Sequence, residues 1–122
     1  MDAWTRSLVA LAGLMGAFGV AAAAAAAHIA GGALLETAAH FLLVDAVALV
    51  ALAGLGAHLS RGRTLLLAGA SLIGLGTLLF SGDLALRALR DVKLLGGSAP
   101  FGGGTMIFGW LTVAAAALFA RR

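Results

Sequence analysis

The sequence predicts an all-α membrane protein, a four-transmembrane-helix bundle in a single domain. Three observations carry this. Hydrophobic residues make up 62% of the 122 positions and charged residues 11%, against about 45–50% and about 25% in soluble domains. A chain of this length cannot hide that much apolar surface in one core, because small domains leave a large share of their surface exposed. Lipid must therefore be the solvent for most of it. The apolar residues also fall into four long runs separated by short polar or glycine-containing breaks. Alanine and leucine, both strong helix formers, dominate those runs, which are far longer than the ~10-residue alternating segments of a membrane barrel.

The first run, residues 8–27, holds twenty residues without a charge and reaches ~30 Å as a helix, the thickness of a bilayer core. A signal peptide is the rival reading, with Arg6 ahead of the run and small residues near 21–23. The run outlasts an ordinary h-region, so a retained helix is expected. His28, Gly31, Gly32 and Glu36 mark a turn. The second span covers residues 37–59 and carries Asp45. A basic break, Ser60-Arg61-Gly62-Arg63-Thr64, precedes the third span, 65–82. Helix is expected to continue through 84–95, where Asp83, Arg87 and Asp91 stand four apart with alternating sign. The segment 96–104, with five glycines and Pro100, is the strongest breaker on the chain. The fourth span covers 101–120 and stops at Arg121 and Arg122.

Four crossings put both termini on one side. That side collects Arg6, Arg61, Arg63, Arg121 and Arg122, and the other Arg87, Arg90 and Lys93. Basic residues at helix ends favour the cytoplasmic face, so both termini are predicted cytoplasmic. Helices in lipid associate through close packing and polar contacts. Gly13, Gly16 and Gly19 on the first helix, Gly74 on the third and Gly109 on the fourth are the expected packing positions. They fit either packing within the bundle or an oligomer surface.

Asp45 is the polar residue of most interest. An acid near mid-bilayer costs about 2.5–3.5 kcal/mol on insertion scales and usually faces protein or a cavity. Folding the second and third spans about Gly62 sets Asp45 level with residues 79–81. A polar cluster of Asp45, Ser81 and Thr77 is expected, packed against the glycine face. It reads either as interhelical hydrogen bonding or as a protonatable site. His28, Glu36, His40, Asp83 and Arg87 are the outer polar groups. His28 and Glu36 are expected to cap or bridge the outer turn, and Asp83 with Arg87 to form a surface pair worth a few tenths of a kcal/mol.

The exclusions are broad. There is no cysteine, hence no thiol chemistry or thiolate metal site. His40 and His58 lie ~27 Å apart along one helix and cannot share a metal. No metal site and no cofactor is expected; haem or chlorin, held by His28 and His40, is the minor alternative. No nucleophile–base pair and no phosphate-cradling loop is visible, so no catalytic residue and no enzymatic activity is expected. The basic charge is assigned to membrane topology and not to nucleic acid.

Gly16-Ala17-Phe18-Gly19, Glu36-Thr37-Ala38, Leu79-Phe80-Ser81-Gly82, and Pro100-Phe101-Gly102-Gly103 with Gly109-Trp110 occur in that order along the chain. Together they resemble the domain of unknown function 423 family, relatives of transmembrane protein 256. The resemblance implies a small four-helix protein of the bacterial inner membrane with no established activity. The chain departs from the family pattern in three places. It has Val20-Ala21-Ala22 where the family places Ala-His, and Phe41-Leu42 with Asp45 where it places Tyr-Gln and a histidine. It has Asp83-Leu84-Ala85 where the third-helix motif continues Ser-Leu-Tyr. The leading functional expectation is a structural or accessory subunit, bound to a membrane-protein partner or to copies of itself. Transport of a proton, ion or small solute through the Asp45 cluster is the alternative.

Overall fold

The structure is a computed structural model that describes residues 1–30 and 32–122. Four helices account for most of the chain: α1 (Ala3–Ala26), α2 (Ala33–Gly56), α3 (Arg63–Arg90) and α4 (Ala99–Phe119). All four are long and apolar enough to cross a membrane. The protein is a small membrane protein built as a helix bundle.

Each helix end has a local cause. Asp2 stands at the α1 N-cap and its Oδ1 accepts from the Thr5 amide at 2.9 Å, satisfying one of the amides a helix start leaves unpaired. Gly62 begins α3 at φ +84°, a backbone conformation glycine adopts without steric cost. A Cβ there would also meet the backbone of Ala116 and Ala120 at 3.0–3.2 Å. α3 ends when Asp91 turns left-handed at φ 54°, earlier than the helical pattern through 95 suggests. Residues 91–98 then hold a single 3-10 turn, Leu94–Gly96.

Glycine content marks residues 96–104 as a breaker while the fourth span is expected from 101, and the structure favours the span, starting it two residues earlier. α4 begins at Ala99, so Pro100 and Gly102 to Gly104 are helical. Pro100 falls in the first turn, where an amide proton is not needed. Gly102 is helical because α3 lies against it.

Neighbours in sequence pack side by side, α1 on α2, α2 on α3 and α3 on α4, with a lighter α1–α3 contact. Among the described residues, α4 packs on α3 alone. The main core lies between α1, α2 and α3, is centred on Met15, Leu49, Leu67 and Ile73, and takes in Ala116 of α4. A second cluster, Ala38, Leu84 and Ala99, sits at the opposite end, with Phe80 against it.

The chain ends and the α2–α3 turn share one end of the bundle. There Arg63 pairs with Asp2 and also donates to Thr5 Oγ1 at 3.1 Å. Ser60 and Arg61 pair through the backbone with Arg121. Trp4 Nε1 donates to Ser71 Oγ at 2.9 Å, joining α1 to α3 one layer inward.

The α3–α4 contact differs from the others. Gly69 and Gly76 on α3 face Gly109 and Gly102 on α4. A Cβ at Gly76 would stand 2.6 Å from the Met106 amide nitrogen and 2.7 Å from the Gly102 oxygen. One at Gly109 would stand 2.8 Å from the Ile73 nitrogen and 2.9 Å from the Gly69 oxygen; one at Gly102 would collide with the Phe80 amide. The two backbones touch directly, at glycines spaced seven apart on each helix. In lipid, where apolar side chains gain little by leaving the solvent, such approach is a main source of helix association.

Candidate functional site

Asp45 is the thirteenth residue of α2, about 18 Å from the helix start at 1.5 Å per residue. It is buried, 1% exposed. Its partner is Thr77 on α3, whose Oγ1 lies 2.6 Å from Asp45 Oδ2 and 2.7 Å from the carbonyl oxygen of Ile73. A threonine hydroxyl carries one proton and here faces two oxygens at bonding distance. A carboxylic acid at Asp45 resolves this. It donates to Thr77 Oγ1, which donates to the Ile73 carbonyl, and every short contact then holds a proton. The neutral acid also avoids an unpaired buried charge, the costlier state in a low-dielectric interior.

Ser81 does not join Asp45. Its Oγ donates to the Ala38 carbonyl at 2.9 Å, a second clasp between α3 and α2, about one helical turn further on. The glycine face of α1 does not pack against Asp45 either. Gly19 faces Leu42 and Leu43, and Gly16 reaches only the Ala46 Cβ at 4.0 Å. The expected three-residue cluster is thus two separate links, Asp45–Thr77 and Ser81–Ala38, both sealed from outside.

Asp83 overturns the expected surface pair. It is 0% exposed, and both of its oxygens are engaged twice. Oδ1 accepts from Arg87 Nε at 3.1 Å and from the Leu94 amide at 3.0 Å. Oδ2 accepts from an Arg87 terminal nitrogen at 3.0 Å and from the Ala99 amide at 2.9 Å. Asp83 therefore caps α4 from a different helix, taking the place of Ser98, whose own hydroxyl donates instead to the Leu79 carbonyl at 2.8 Å. The i,i+4 spacing found the arginine but not the two backbone amides.

The remaining outer groups stay apart. His28, Glu36 and His40 are exposed. Glu36 and His40 line one shallow recess with Ala33 and Thr37, and the His40 ring meets Phe41 edge-on at 5.4 Å. Among the described residues, no side-chain hydrogen bond joins His28 to Glu36, and no three His, Asp or Glu side chains gather as metal ligands. Of the glycines expected to pack helices, a Cβ at Gly74 would meet Leu11 and Leu49 at 3.0 and 3.3 Å and one at Gly109 would meet backbone, while one at Gly13 would have nothing within 4 Å. Gly69, Gly76 and Gly102 were not among the expected positions. Their seven-residue spacing in both α3 and α4 was the available signal.

These features define a small polytopic membrane protein whose interior polar groups are consumed by links between helices. More particularly, the chain belongs to the family described as protein of unknown function (DUF423), which matches residues 12–103. The matched stretch takes in Asp45, Thr77, Ser81 and Asp83. No curated protein and no solved structure matches the chain.

Proposed function

We propose that the protein is a non-enzymatic structural or accessory subunit of a bacterial inner membrane, with both termini cytoplasmic, and that it works by docking to a membrane-protein partner or to copies of itself. One observation supports this above others: among the described residues α3 is the one helix that α4 packs along, and the other sides of α4 present Phe101, Ile107, Phe108, Leu111 and Leu118 at 62–84% exposure. A helix attached along a single seam has room for a neighbour. Asp45, Thr77, Ser81 and Asp83 are buried and engaged in hydrogen bonds within the bundle, which supports a packing role for them. The excess of arginine at the end shared by both termini supports the orientation.

The test is extraction of the full chain from native membranes into nanodiscs, followed by mass determination of what travels with it. A stoichiometric companion or a defined homo-oligomer is expected. A monomer at every protein-to-lipid ratio, with no companion, would refute the proposal. Transport has one observation in its favour, the carboxylic acid buried at mid-helix. Proton flux through reconstituted vesicles that vanishes on Asp45→Asn would favour it over docking.

A further inference from the structure

The end of the bundle that gathers both termini carries six charged side chains: Asp2, Arg6, Arg61, Arg63, Arg121 and Arg122. Asp2, the one acid, is taken by Arg63. Among the described residues, Arg6, Arg61, Arg121 and Arg122 have no carboxylate partner. The opposite end is balanced, with Glu36, Asp83 and Asp91 against Arg87, Arg90 and Lys93.

Two of the unpaired arginines are held together by the backbone. The Arg61 amide donates to the Arg121 carbonyl at 3.2 Å, and the Arg121 amide to the Arg61 carbonyl at 3.0 Å. This is the hydrogen-bonded pair of an antiparallel bridge. It sets the two Cα atoms about 5.5 Å apart with both side chains on one face. Like charges directly opposite repel, yet the Ser60 amide reinforces the bridge with a third bond to the Arg121 carbonyl at 2.8 Å. Beside the pair lies a recess of about 530 Å³. Ser60, Arg61, Arg63 and Thr64 supply its polar lining, and Leu65 and Phe119 its apolar lining.

We propose that this recess binds a phosphate-bearing anion, gripped by Arg61, which lines it, and by Arg121, which the backbone bridge holds beside Arg61. Guanidinium forks match phosphate oxygens two at a time, and two forks on one face fit a single phosphate between them. An anion there also removes the repulsion built into the bridge. The site stands where apolar helices end, at headgroup level, and its lining changes from arginine to Phe119 and Leu65. An anionic phospholipid matches both halves; a free phosphate matches only the first.

The test is native mass spectrometry of the full chain released from micelles containing equal dioleoyl-phosphatidylglycerol and dioleoyl-phosphatidylcholine. The wild type should retain the anionic lipid about tenfold or more over the zwitterionic one, from about 1 kcal/mol per arginine at an anionic surface. R61Q/R121Q should bring that ratio near unity, and R90Q/K93Q should leave it unchanged. The bridge uses only backbone atoms, so R61Q/R121Q keeps it; helical circular dichroism checks that the variant folds, and slow exchange of the Arg121 amide checks the bridge. Equal retention by wild type and R61Q/R121Q would overturn the proposal. In a parallel arm, sodium phosphate is added to lipid-free micelles. If it raises the unfolding temperature of the wild type alone and no lipid is retained, the phosphate site stands and its lipid source is overturned.

Discussion

Substituting alanine for glycine makes the same covalent change at Gly76, Gly102, Gly13 and Gly104, yet the structure demands opposite outcomes. At Gly76 the new methyl would stand 2.6 Å from the Met106 nitrogen. Ordinary van der Waals contact begins near 3.4 Å, so α4 must retreat by about 0.8 Å. Backbone atoms cannot rotate aside as a flexible side chain can, so the whole seam opens. Overpacking of this kind costs about 1–3 kcal/mol, sometimes more. At Gly13 and Gly104 nothing lies within 4 Å, and alanine gains up to about 1 kcal/mol through helix propensity. The propensity gain is common to all four helical positions, so Gly76→Ala and Gly102→Ala should fall about 1–3 kcal/mol below Gly13→Ala and Gly104→Ala, the overpacking cost alone. The pair should also be non-additive. Each methyl pushes on the other glycine's carbonyl, at 2.7 and 2.6 Å, so once one has parted the helices the second costs less. Denaturing-detergent titration in mixed micelles, followed by tryptophan fluorescence, reads this directly, because Trp110 lies on α4. If Gly76→Ala unfolds within about 0.5 kcal/mol of Gly13→Ala, the backbone contact between α3 and α4 is not what holds the seam.

The polar links give predictions of a different kind. Asp45→Asn should stay within about 0.5 kcal/mol of wild type, since an amide can donate to Thr77 Oγ1 as the neutral acid does. Thr77→Val should cost about 1–3 kcal/mol by leaving a buried acid unpaired; equal losses in the same unfolding assay would refute a protonated Asp45. Ser81→Ala should cost only about 0.6 kcal/mol, the average for an interhelical bond in a membrane, because a helix carbonyl such as that of Ala38 keeps its own ladder. Asp83→Ala should speed hydrogen exchange at the Leu94 and Ala99 amides, and Arg87→Ala should leave those amides protected. Outside the membrane, the Thr5 amide, the Thr5 side chain and Arg63 lower the Asp2 carboxyl from 3.8 to about 2. A lowered folded value means its stabilisation is full above about pH 4 and is lost as pH falls towards 2. Protection of the Thr5 amide should follow that course, and Asp2→Asn should flatten it.

The four helices were legible because hydropathy is a property of whole runs, and one misplaced residue does not erase twenty apolar ones. The site was less legible because it depends on register. Folding about Gly62 set Asp45 level with residues 79–81; Thr77 is its partner, and the two are equidistant in sequence from Arg61. That small offset divides the expected cluster into two links. Asp83 departs from a surface pair for another reason. Its helix-surface partner stands four residues away, but the amides that bury it are 11 and 16 residues ahead, across a segment whose path no periodicity describes. The glycines show the same limit. A three-residue spacing singles out Gly13, where a Cβ would meet nothing within 4 Å, and a glycine-rich stretch reads as a breaker even where Gly102 is the tightest point of a helix pair.

Two kinds of contact divide the work of holding this protein together, and each suits its place. Between α2 and α3 the links are hydrogen bonds, Asp45–Thr77 and Ser81–Ala38, which fix register because each is directional and joins one particular residue on either helix. Between α3 and α4 they are glycine-to-backbone contacts, which set distance but specify register only through their seven-residue repeat. At one end of that seam Asp83 ties the α4 start to α3, and at the other the Arg61–Arg121 bridge ties the chain beyond α4 to the α2–α3 turn. A seam built from smooth glycine surfaces can slide, and clasps at both of its ends stop it. Loss of either clasp should therefore loosen α4 alone, leaving the core of Met15, Leu49, Leu67 and Ile73 in place.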